Sequence, residues 1–490
     1  MRKVLAVLVL LLAVAGGVWF MAGRAEGPAL TFSKPGPLIG QTGELELKVD
    51  PKGTPLQSLD IALEQDGART PLFSLPGNDA AKLTPQSDGS MTVTRPIGKK
   101  AVPALKQGKA RIVVTSSRAV LFGRRVVSSE ASRDFEVKLI PPQVAVVSLH
   151  HFVNHGGSEM VVYRVTPADV ESGVRVGDVT YKGYPAGAAG VAGADPGLRI
   201  GFFALLYDQD LAAPVTVWAR DVAGNEGTAP VETKVFEKVF RKSQIPLDDA
   251  FLAKVVPPIL ANTPSFKVSD PSNLLESYLA INRELRKENA KTLVALADKS
   301  APDRLWQGTF KQLVNSAVES SFADQRTYVY KGQDVDQQVH LGFDLASLSH
   351  AAVHASNAGR VVYADFLGIY GNCVVIDHGL GLQSLYAHLS SIGVKVGDTV
   401  TQGQEIGKSG STGLAGGDHL HFTMLLGGHA VTPVDWWSEQ WVQDRILRKL
   451  REASTGPAAA GTDAAAAPTP GPAAPAAEKP ARQRAGRSRR

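Results

Sequence analysis

The hydrophobic pattern of the chain begins with an uncharged apolar run from Val4 to Ala22, which follows Arg2 and Lys3. As a helix, these 19 residues span about 28 Å, close to the ~30 Å hydrocarbon core of a bilayer. Because positive charges before an apolar span stay on the cytoplasmic side, residues 1–24 are predicted to form a signal anchor that leaves the rest of the chain outside. A cleaved signal peptide is the alternative, since residues 13–15 read A-x-A.

Two stretches with strand-like alternation follow. Within residues 28–140, the segments Leu45–Val49 and Phe135–Leu139 alternate apolar and polar side chains, and Pro, Gly and Asp residues separate such segments. Residues 141–240 repeat this style, and Trp218–Asn225 resembles the late strand and turn of bacterial immunoglobulin-like modules. Two β-sandwich-like modules are therefore predicted. They either space the following part from the membrane or bind a partner or the cell wall.

The pattern changes in residues 245–321, where apolar positions recur every three or four residues, as on one face of a helix. Ser272 is predicted to cap a helix that residues 291–299 extend or follow. Pro257 and Pro258 are predicted to break the helix before it. This helical segment is either a packed linker or a lid that controls access to the next part of the chain.

Residues 322–450 return to strand-like runs and end in a predicted helix from Asp435 to Leu450. Residues 451–490 consist mainly of Ala, Pro and Gly and end in a group of arginines, so a disordered basic tail is predicted. The tail either attaches to anionic polymers or is a solvated end. The whole chain is thus expected to be multidomain and mostly β.

Charge and cysteine content change this picture little. The formal net charge of +5 comes partly from the arginine-rich tail, and no DNA- or RNA-binding motif is visible, so no nucleic-acid partner is predicted. The single cysteine, Cys373, cannot form an internal disulfide and lies in an apolar run, which predicts a small buried strand residue.

Candidate chemistry concentrates near the C-terminal end, because eight of the eleven histidines lie between His340 and His429. Two imidazoles and one carboxylate can hold a catalytic Zn²⁺ with a position open for water. His419 and His421 are two apart before a strand-like run, so both are expected to face one side. No His-Glu-x-x-His motif occurs in the chain, so a histidine must act as the base.

Seven segments then match one family in order: His340–Ala346, Gly359–Ala364, Gly371–Gly379, Leu385–Leu389, Val396–Gln404, Gly407–Gly413 and His419–Phe422. On these motifs, residues 325–437 resemble the M23 family of peptidases, the LytM or lysostaphin type of peptidoglycan endopeptidase. The resemblance covers less than a quarter of the 490 residues.

The resemblance implies an antiparallel β catalytic domain that binds Zn²⁺ and hydrolyses cross-links or stem peptides of peptidoglycan at the outer face of the cytoplasmic membrane. It implies three zinc ligands, His340, Asp344 and His421, and a catalytic pair, His388 and His419. Some family members have lost ligands and only activate other wall enzymes. A catalytically silent wall-binding or amidase-activating protein is therefore the alternative, and a regulatory protein partner is a further expectation.

The remaining histidines are expected to be structural. In the catalytic part these are His350, His354, His378 and His429. Of these, His354 and His378 are candidates for holding the other nitrogen of a ligand histidine. A loose cluster of His150, His151 and His155 is a weaker candidate for an accidental metal site.

Overall fold

The computed structural model describes residues 2–22, 24–77 and 83–455. It is mostly β, as predicted, with several sheets and one helix at the N-terminus. That helix, α1 (Arg2–Ala22), contains a span long and apolar enough to cross a membrane, and a signal sequence would meet the same description. The predicted tail lies outside the described residues from position 456 onward.

The N-terminal module consists of two sheets that share one core. Its strands are β1 (Ala29–Lys34), β2 (Leu38–Ile39), β3 (Glu44–Asp50), β4 (Leu56–Gln65), β5 (Ala68–Leu75), β6 (Leu83–Pro85), β7 (Met91–Pro96), β8 (Gly108–Val120) and β9 (Arg125–Val137). The strand orders are β1-β3-β7-β6 and β2-β9-β8-β4-β5. Leu45, Leu47 and Val49 on alternate positions of β3 are fully buried, so the predicted alternation does mark the core face.

The second module is built around one curled sheet of seven strands. Its strands are β10 (Gln143–Val146), β11 (His151–Asn154), β12 (Ser158–Thr166), β13 (Glu171–Val176), β14 (Val179–Pro185), β15 (Leu198–Ala204), β16 (Val215–Arg220), β17 (Glu226–Pro230) and β18 (Thr233–Phe236). The order of the large sheet is β10-β12-β15-β14-β13-β16-β17, and its two edge strands contact each other. The other two strands, β11 and β18, form a parallel pair beside it.

The helical segment corrects two sequence predictions. Its elements are β19 (Lys242–Leu247), α2 (Asp249–Asn262), α3 (Leu274–Ala280), a π-helical turn (Ile281–Leu285) and α4 (Arg286–Ala297). The predicted break at Pro257 and Pro258 is wrong, because α2 runs through both prolines. Both are exposed, while Leu252 and Val256 bury the opposite face of the helix, and that packing outweighs the missing N–H donors.

The predicted helix cap is wrong by one residue. Asn273 is the cap of α3, since its side chain accepts a hydrogen bond from the backbone N–H of Glu276 at 3.2 Å. The hydroxyl of Ser272 instead donates to Asp270, at 2.6 Å.

The C-terminal part contains an antiparallel sheet of eight strands, as predicted. The strands of this part are β20 (Ala317–Ser320), β21 (Asp324–Tyr330), β22 (Gln333–His340), β23 (Phe343–Ala346), β24 (Ala352–His354), β25 (Gly359–Phe366), β26 (Asn372–Gly379), β27 (Leu382–Leu389), β28 (Ser391–Ile392), β29 (Thr399–Val400), β30 (Glu405–Lys408), β31 (Leu420–Leu426) and β32 (His429–Val431). The large sheet has the order β20-β23-β31-β27-β26-β25-β29, with β32 paired to β31. Smaller sheets are formed by β19-β21-β22 and by β24-β30-β28. Cys373 on β26 is buried, as predicted.

Helices close the described part of the chain. They are α5 (Pro433–Trp437), α6 (Glu439–Trp441), a π-helical stretch (Val442–Leu447) and α7 (Arg448–Thr455). The predicted helix is therefore present, but it is interrupted at Ser438 and continues past Leu450. The largest hydrophobic core extends from the second module through the eight-stranded sheet to these helices.

Candidate metal centre

Three strands bring the predicted metal ligands together. His340 is the last residue of β22, Asp344 lies on β23, and His421 lies on β31 directly opposite Asp344 in the antiparallel register. Gly342, between the first two ligands, lies close to the third. A Cβ atom there would fall 2.5 Å from the His421 ring and still nearer the hydroxyl of Thr423, so only glycine leaves room for this imidazole.

The three ligand atoms converge on one point. His340 Nε2 lies 2.9 Å from Asp344 Oδ1 and 3.0 Å from His421 Nδ1. The distance from His421 Nδ1 to Asp344 Oδ1 is also 3.0 Å. All three residues are buried, and among the described residues they form the one group of three such side chains that could hold a metal ion.

The outer hydrogen bonds fix which nitrogen of each ligand histidine carries a proton. His340 Nδ1 lies 3.2 Å from both the carbonyl of Ser321 and the hydroxyl of Ser320, and we assign it as a donor because a carbonyl oxygen only accepts. His421 Nε2 lies 3.0 Å from Thr423 Oγ1. The Thr423 hydroxyl proton is already directed to the carbonyl of Leu341 at 2.7 Å, so the hydroxyl oxygen accepts from His421 Nε2. We therefore assign bare lone pairs to the two nitrogens that face Asp344.

This arrangement fits a divalent metal. Two imidazole nitrogens without protons and one carboxylate oxygen repel one another at about 3 Å unless a cation lies between them. Two histidines and one carboxylate form a ligand set typical of catalytic zinc, with a fourth position open.

The two remaining motif histidines stand beside the cluster with their own reactive nitrogens exposed to it. His388 Nδ1 donates to the carbonyl of Thr412 at 2.8 Å, and His419 Nδ1 donates to that of Gly417 at 3.0 Å. Both Nε2 atoms are left as proton acceptors, and the ring centroids are 4.9 Å apart. His388 holds a φ of 61°, a left-handed conformation that is strained for a side chain of this size.

The pKa values of His388 and His419 are shifted in opposite directions. Burial lowers the pKa of His388 well below its ordinary value, and the neighbouring histidines lower it further. Burial also acts to lower the pKa of His419, but the charge of Asp344 and the hydrogen bond that it accepts from the protonated ring outweigh burial, and the net shift is upward. The His419 Nε2 atom lies 3.4 Å from Asp344 Oδ1. His419 is thus the more readily protonated of the two.

Sequence reasoning missed an arginine at the cluster. Arg326 on β21 donates from Nη2 to Asp344 Oδ2 at 3.0 Å and to Ser320 Oγ at 2.8 Å. The carboxylate therefore has one oxygen on the ligand side and the other held by a guanidinium, which fixes its orientation. Only the strand pairing of β21 with β22 brings Arg326 there, and no local motif marks it.

The helical segment forms one wall of the cavity that contains the cluster. The cavity has a volume of about 290 Å³, and Phe251, Tyr278 and Arg286 line it together with the motif residues. Lys254 Nζ also donates to the carbonyl of Gly416 at 2.8 Å, across the mouth from α2. The segment therefore borders the site, and its action as a lid stays a prediction.

The other histidines do not join the cluster. His378 bonds the carbonyl of Ala358 and the hydroxyl of Ser384, each at 2.7 Å, and His354 is exposed, so neither supports a ligand histidine. His151 is held by Ser148 at 2.8 Å and by the carbonyl of Glu232 at 3.2 Å, which satisfies both of its nitrogens without a metal.

Comparison with known proteins identifies the class. Residues 338–433 match Peptidase family M23. The chain thus carries an M23 peptidase domain, which confirms the resemblance that the seven sequence segments indicated.

Three curated relatives illustrate the likeness. DD-carboxypeptidase/endopeptidase Mpg of Neisseria meningitidis is 40% identical over 97 residues, which are 20% of this chain and 22% of that protein. Peptidoglycan DD-endopeptidase ShyA of Vibrio cholerae is 30% identical over 169 residues, 34% of this chain and 36% of that protein. Murein hydrolase activator EnvC of Escherichia coli is 40% identical over 95 residues, 19% and 23% respectively. The chain thus spans between 22% and 36% of the length of these relatives.

Proposed function

We propose that this protein is a zinc-dependent endopeptidase that hydrolyses peptide bonds in the cross-links or stem peptides of peptidoglycan. One observation carries the proposal. Two imidazole nitrogens and one carboxylate oxygen, to which we assign bare lone pairs, lie within about 3 Å of one another, next to two histidines whose Nδ1 atoms donate to backbone carbonyls. The likeness to ShyA, named as a peptidoglycan DD-endopeptidase, supports the substrate class.

The roles of the five residues follow from these hydrogen bonds. His340 Nε2, Asp344 Oδ1 and His421 Nδ1 would hold the zinc. When bound there, zinc supplies a Lewis acid that polarises a peptide carbonyl and lowers the pKa of a water molecule. His388 Nε2 and His419 Nε2 accept the proton of the attacking water and return it to the leaving amine. Their backbone partners, Thr412 and Gly417, keep both rings turned toward the reacting atoms.

The proposal includes a location. We infer that α1 anchors the chain in the cytoplasmic membrane and that the peptidase domain faces the wall on the outer side, because Arg2 and Lys3 precede the apolar span. Sequencing the N-terminus of the mature protein tests this. Loss of residues 1–15 would replace the anchor by a cleaved signal peptide.

A second candidate is a catalytically silent activator of other wall enzymes. The likeness to EnvC, named as a murein hydrolase activator, favours it. The complete ligand and proton-transfer set favours the enzyme instead. An activator of this kind binds a partner protein, and a regulatory partner is part of both proposals.

The test uses the full chain in detergent, incubated with peptidoglycan sacculi with zinc or with a chelator, and the products are identified by mass. We expect soluble fragments only with zinc. If the protein binds stoichiometric zinc but releases no fragments, the endopeptidase proposal is wrong and the activator proposal is favoured.

Single substitutions separate the roles. Alanine at His340, Asp344 or His421 is expected to remove zinc and activity together. Alanine at His388 or His419 is expected to retain zinc and to lower turnover by about 10²–10⁴-fold. His354→Ala, an exposed histidine of the same domain, is the control that keeps both. If His419→Ala loses zinc while His421→Ala keeps it, these two roles are exchanged.

A further inference from the structure

We propose that Arg286 forms a carboxylate-binding subsite in the metal cavity and selects peptides that carry a free carboxylate near the bond to be cleaved. This inference rests on the proposed function and names the feature of the substrate that the helical segment recognises. The argument starts from where Arg286 lies and how its side chain is held.

Arg286 is the first residue of α4 and follows directly on the π-helical turn Ile281–Leu285. Its side chain lines the same cavity as the metal ligands. Tyr370 connects the two, because its ring centroid lies 5.8 Å from that of His421. Burial raises the pKa of Tyr370 to about 12, and the nearby charge of Arg286 opposes that rise. The guanidinium and the metal ligands therefore line the same cavity, with Tyr370 also among its lining residues.

The guanidinium is held in position by neutral acceptors. Its Nε donates to the carbonyl of Asn282 at 3.1 Å, and its Nη2 donates to Asn282 Oδ1 at 2.6 Å. Asn282 is fully buried and is itself fixed, since its Nδ2 donates to Asp336 at 2.9 Å. Arg283 holds Asp336 from the other side, also at 2.9 Å. This chain of contacts orients Arg286 without neutralising it.

The charge balance of the cavity distinguishes its two arginines. Arg326 forms ion pairs with Asp344 and Asp324, at 3.0 and 3.5 Å. Within residues 2–22, 24–77 and 83–455, no carboxylate lies within 4.0 Å of the Arg286 guanidinium. A partly buried arginine with free N–H groups beside aromatic walls favours an anionic ligand, and its planar fork suits a carboxylate.

The proposed substrate supplies such a group. The stem peptides of peptidoglycan carry free carboxylates on their acidic residues and at their C-termini. A carboxylate on Arg286 would hold the peptide along the cavity, with the bond to be cleaved near the metal ligands. Arg286 thus acts as a specificity-determining residue that positions the substrate and takes no part in proton transfer.

The experiment compares synthetic cross-linked stem peptides that differ only by amidation of one carboxylate at a time. The enzyme is the full chain loaded with zinc, and the readout is kcat/KM. We expect the wild type to prefer one free carboxylate over its amide by about 10- to 100-fold. Arg286→Gln is expected to lose that preference through a slower reaction of the acid alone, and Arg286→Lys to retain part of it.

Lys287→Gln is the matched control, because it removes the same charge from the next residue of α4, which points to solvent. It is expected to leave the preference unchanged. Zinc content and thermal unfolding of each variant show that it is folded. Equal losses of Arg286→Gln on acid and amide, or no preference in the wild type, would overturn the subsite.

A binding measurement keeps this test separate from the proposed function. Calorimetry of the same peptides with His388→Ala, alone and combined with Arg286→Gln, reports the subsite without turnover. If the wild type hydrolyses neither peptide, the proposed function fails. The subsite is then supported if Arg286→Gln weakens binding of the acid peptide but not of the amide. It is contradicted if Arg286→Gln does not weaken binding of the acid peptide.

Discussion

The two β-rich modules contact the rest of the protein in different ways, although their sequences follow the same pattern. The N-terminal module has a closed core of its own between Ile39 and Val137. It meets the second module at a narrow junction, where Asn225 accepts from the backbone N–H of Gln41 and donates to the carbonyl of Lys138, both at 2.7 Å. This module is built as a separate unit.

The second module shares its core with the peptidase domain. Phe202 on β15 packs on Trp436 of α5, with ring centroids 5.8 Å apart. Lys449 of α7 reaches Glu159 of β12 at 2.9 Å, and both side chains are almost completely buried. The second module therefore forms one packed body with the C-terminal part of the chain, and the role of either module as a spacer stays a prediction.

The largest expected effect comes from removing the aromatic group at the centre of the shared core. Trp436→Ala should destabilise the second module and the peptidase domain together, by roughly 3–5 kcal/mol, because it opens a cavity between them. Phe135→Ala is the matched change in the N-terminal core and should lower only the unfolding temperature of that module. Calorimetry with limited proteolysis distinguishes the transitions. If Trp436→Ala leaves the unfolding temperature of the second module unchanged, that result would contradict the shared core.

Breaking the buried ion pair between Lys449 and Glu159 is expected to lower the stability by a similar amount. Lys449→Met leaves Glu159 buried without its charged partner and should cost about 3–5 kcal/mol. Arg448→Met removes a charge from the same helix, but that residue pairs with Glu452 at the surface, so less than about 1 kcal/mol is expected. Denaturant unfolding measures both. Similar costs for the two variants would show that the buried pair does not hold the module.

Acid should lower the stability of the C-terminal part of the chain through His378. Burial lowers the pKa of this histidine to about 4, against an ordinary value of 6.5. The unfolded chain therefore binds a proton at a higher pH than the folded chain does. The folded state keeps its full stability above pH 6.5 and loses stability as the pH falls from 6.5 toward 4. About 2 kcal/mol should disappear between pH 7 and pH 5.

Denaturant titrations at the two pH values test this against His378→Gln, which should show a smaller pH dependence. The N-terminal module provides the comparison, since no histidine precedes His150 in the chain. An equal pH dependence in wild type and variant would refute the assignment.

The smallest effect is expected at the junction of the modules. Asn225→Ala leaves the N–H of Gln41 and the carbonyl of Lys138 without their partner and should cost about 1–2 kcal/mol. We expect faster proteolysis near residues 139–142 and an unchanged unfolding temperature of the N-terminal module, since Asn225 belongs to the second module. Val222→Ala, an exposed position of the same turn, should change neither. A lower unfolding temperature of the N-terminal module in Asn225→Ala would contradict the independence of that module.

Local pattern was sufficient for much of the fold. Alternation marked β3 and its buried face, and the apolar run marked α1, because both depend on neighbouring positions. Helix ends were less well determined. Pro257 and Pro258 lie inside α2 and Asn273 replaces Ser272 as the cap, since burial on one helix face and competing hydrogen bonds decide such points.

The sequence by itself predicted the five residues of the candidate site, because its resemblance to a known family rests on short motifs that need no knowledge of the surrounding contacts. Only the tertiary structure decided which nitrogens are bare, that Arg326 holds Asp344, and that Arg286 enters the cavity from another segment. It also decided that Glu159 and Lys449, 290 positions apart, form one buried pair. Such contacts depend on the packing of whole strands and helices against each other. The periodicity within a single element therefore does not predict them.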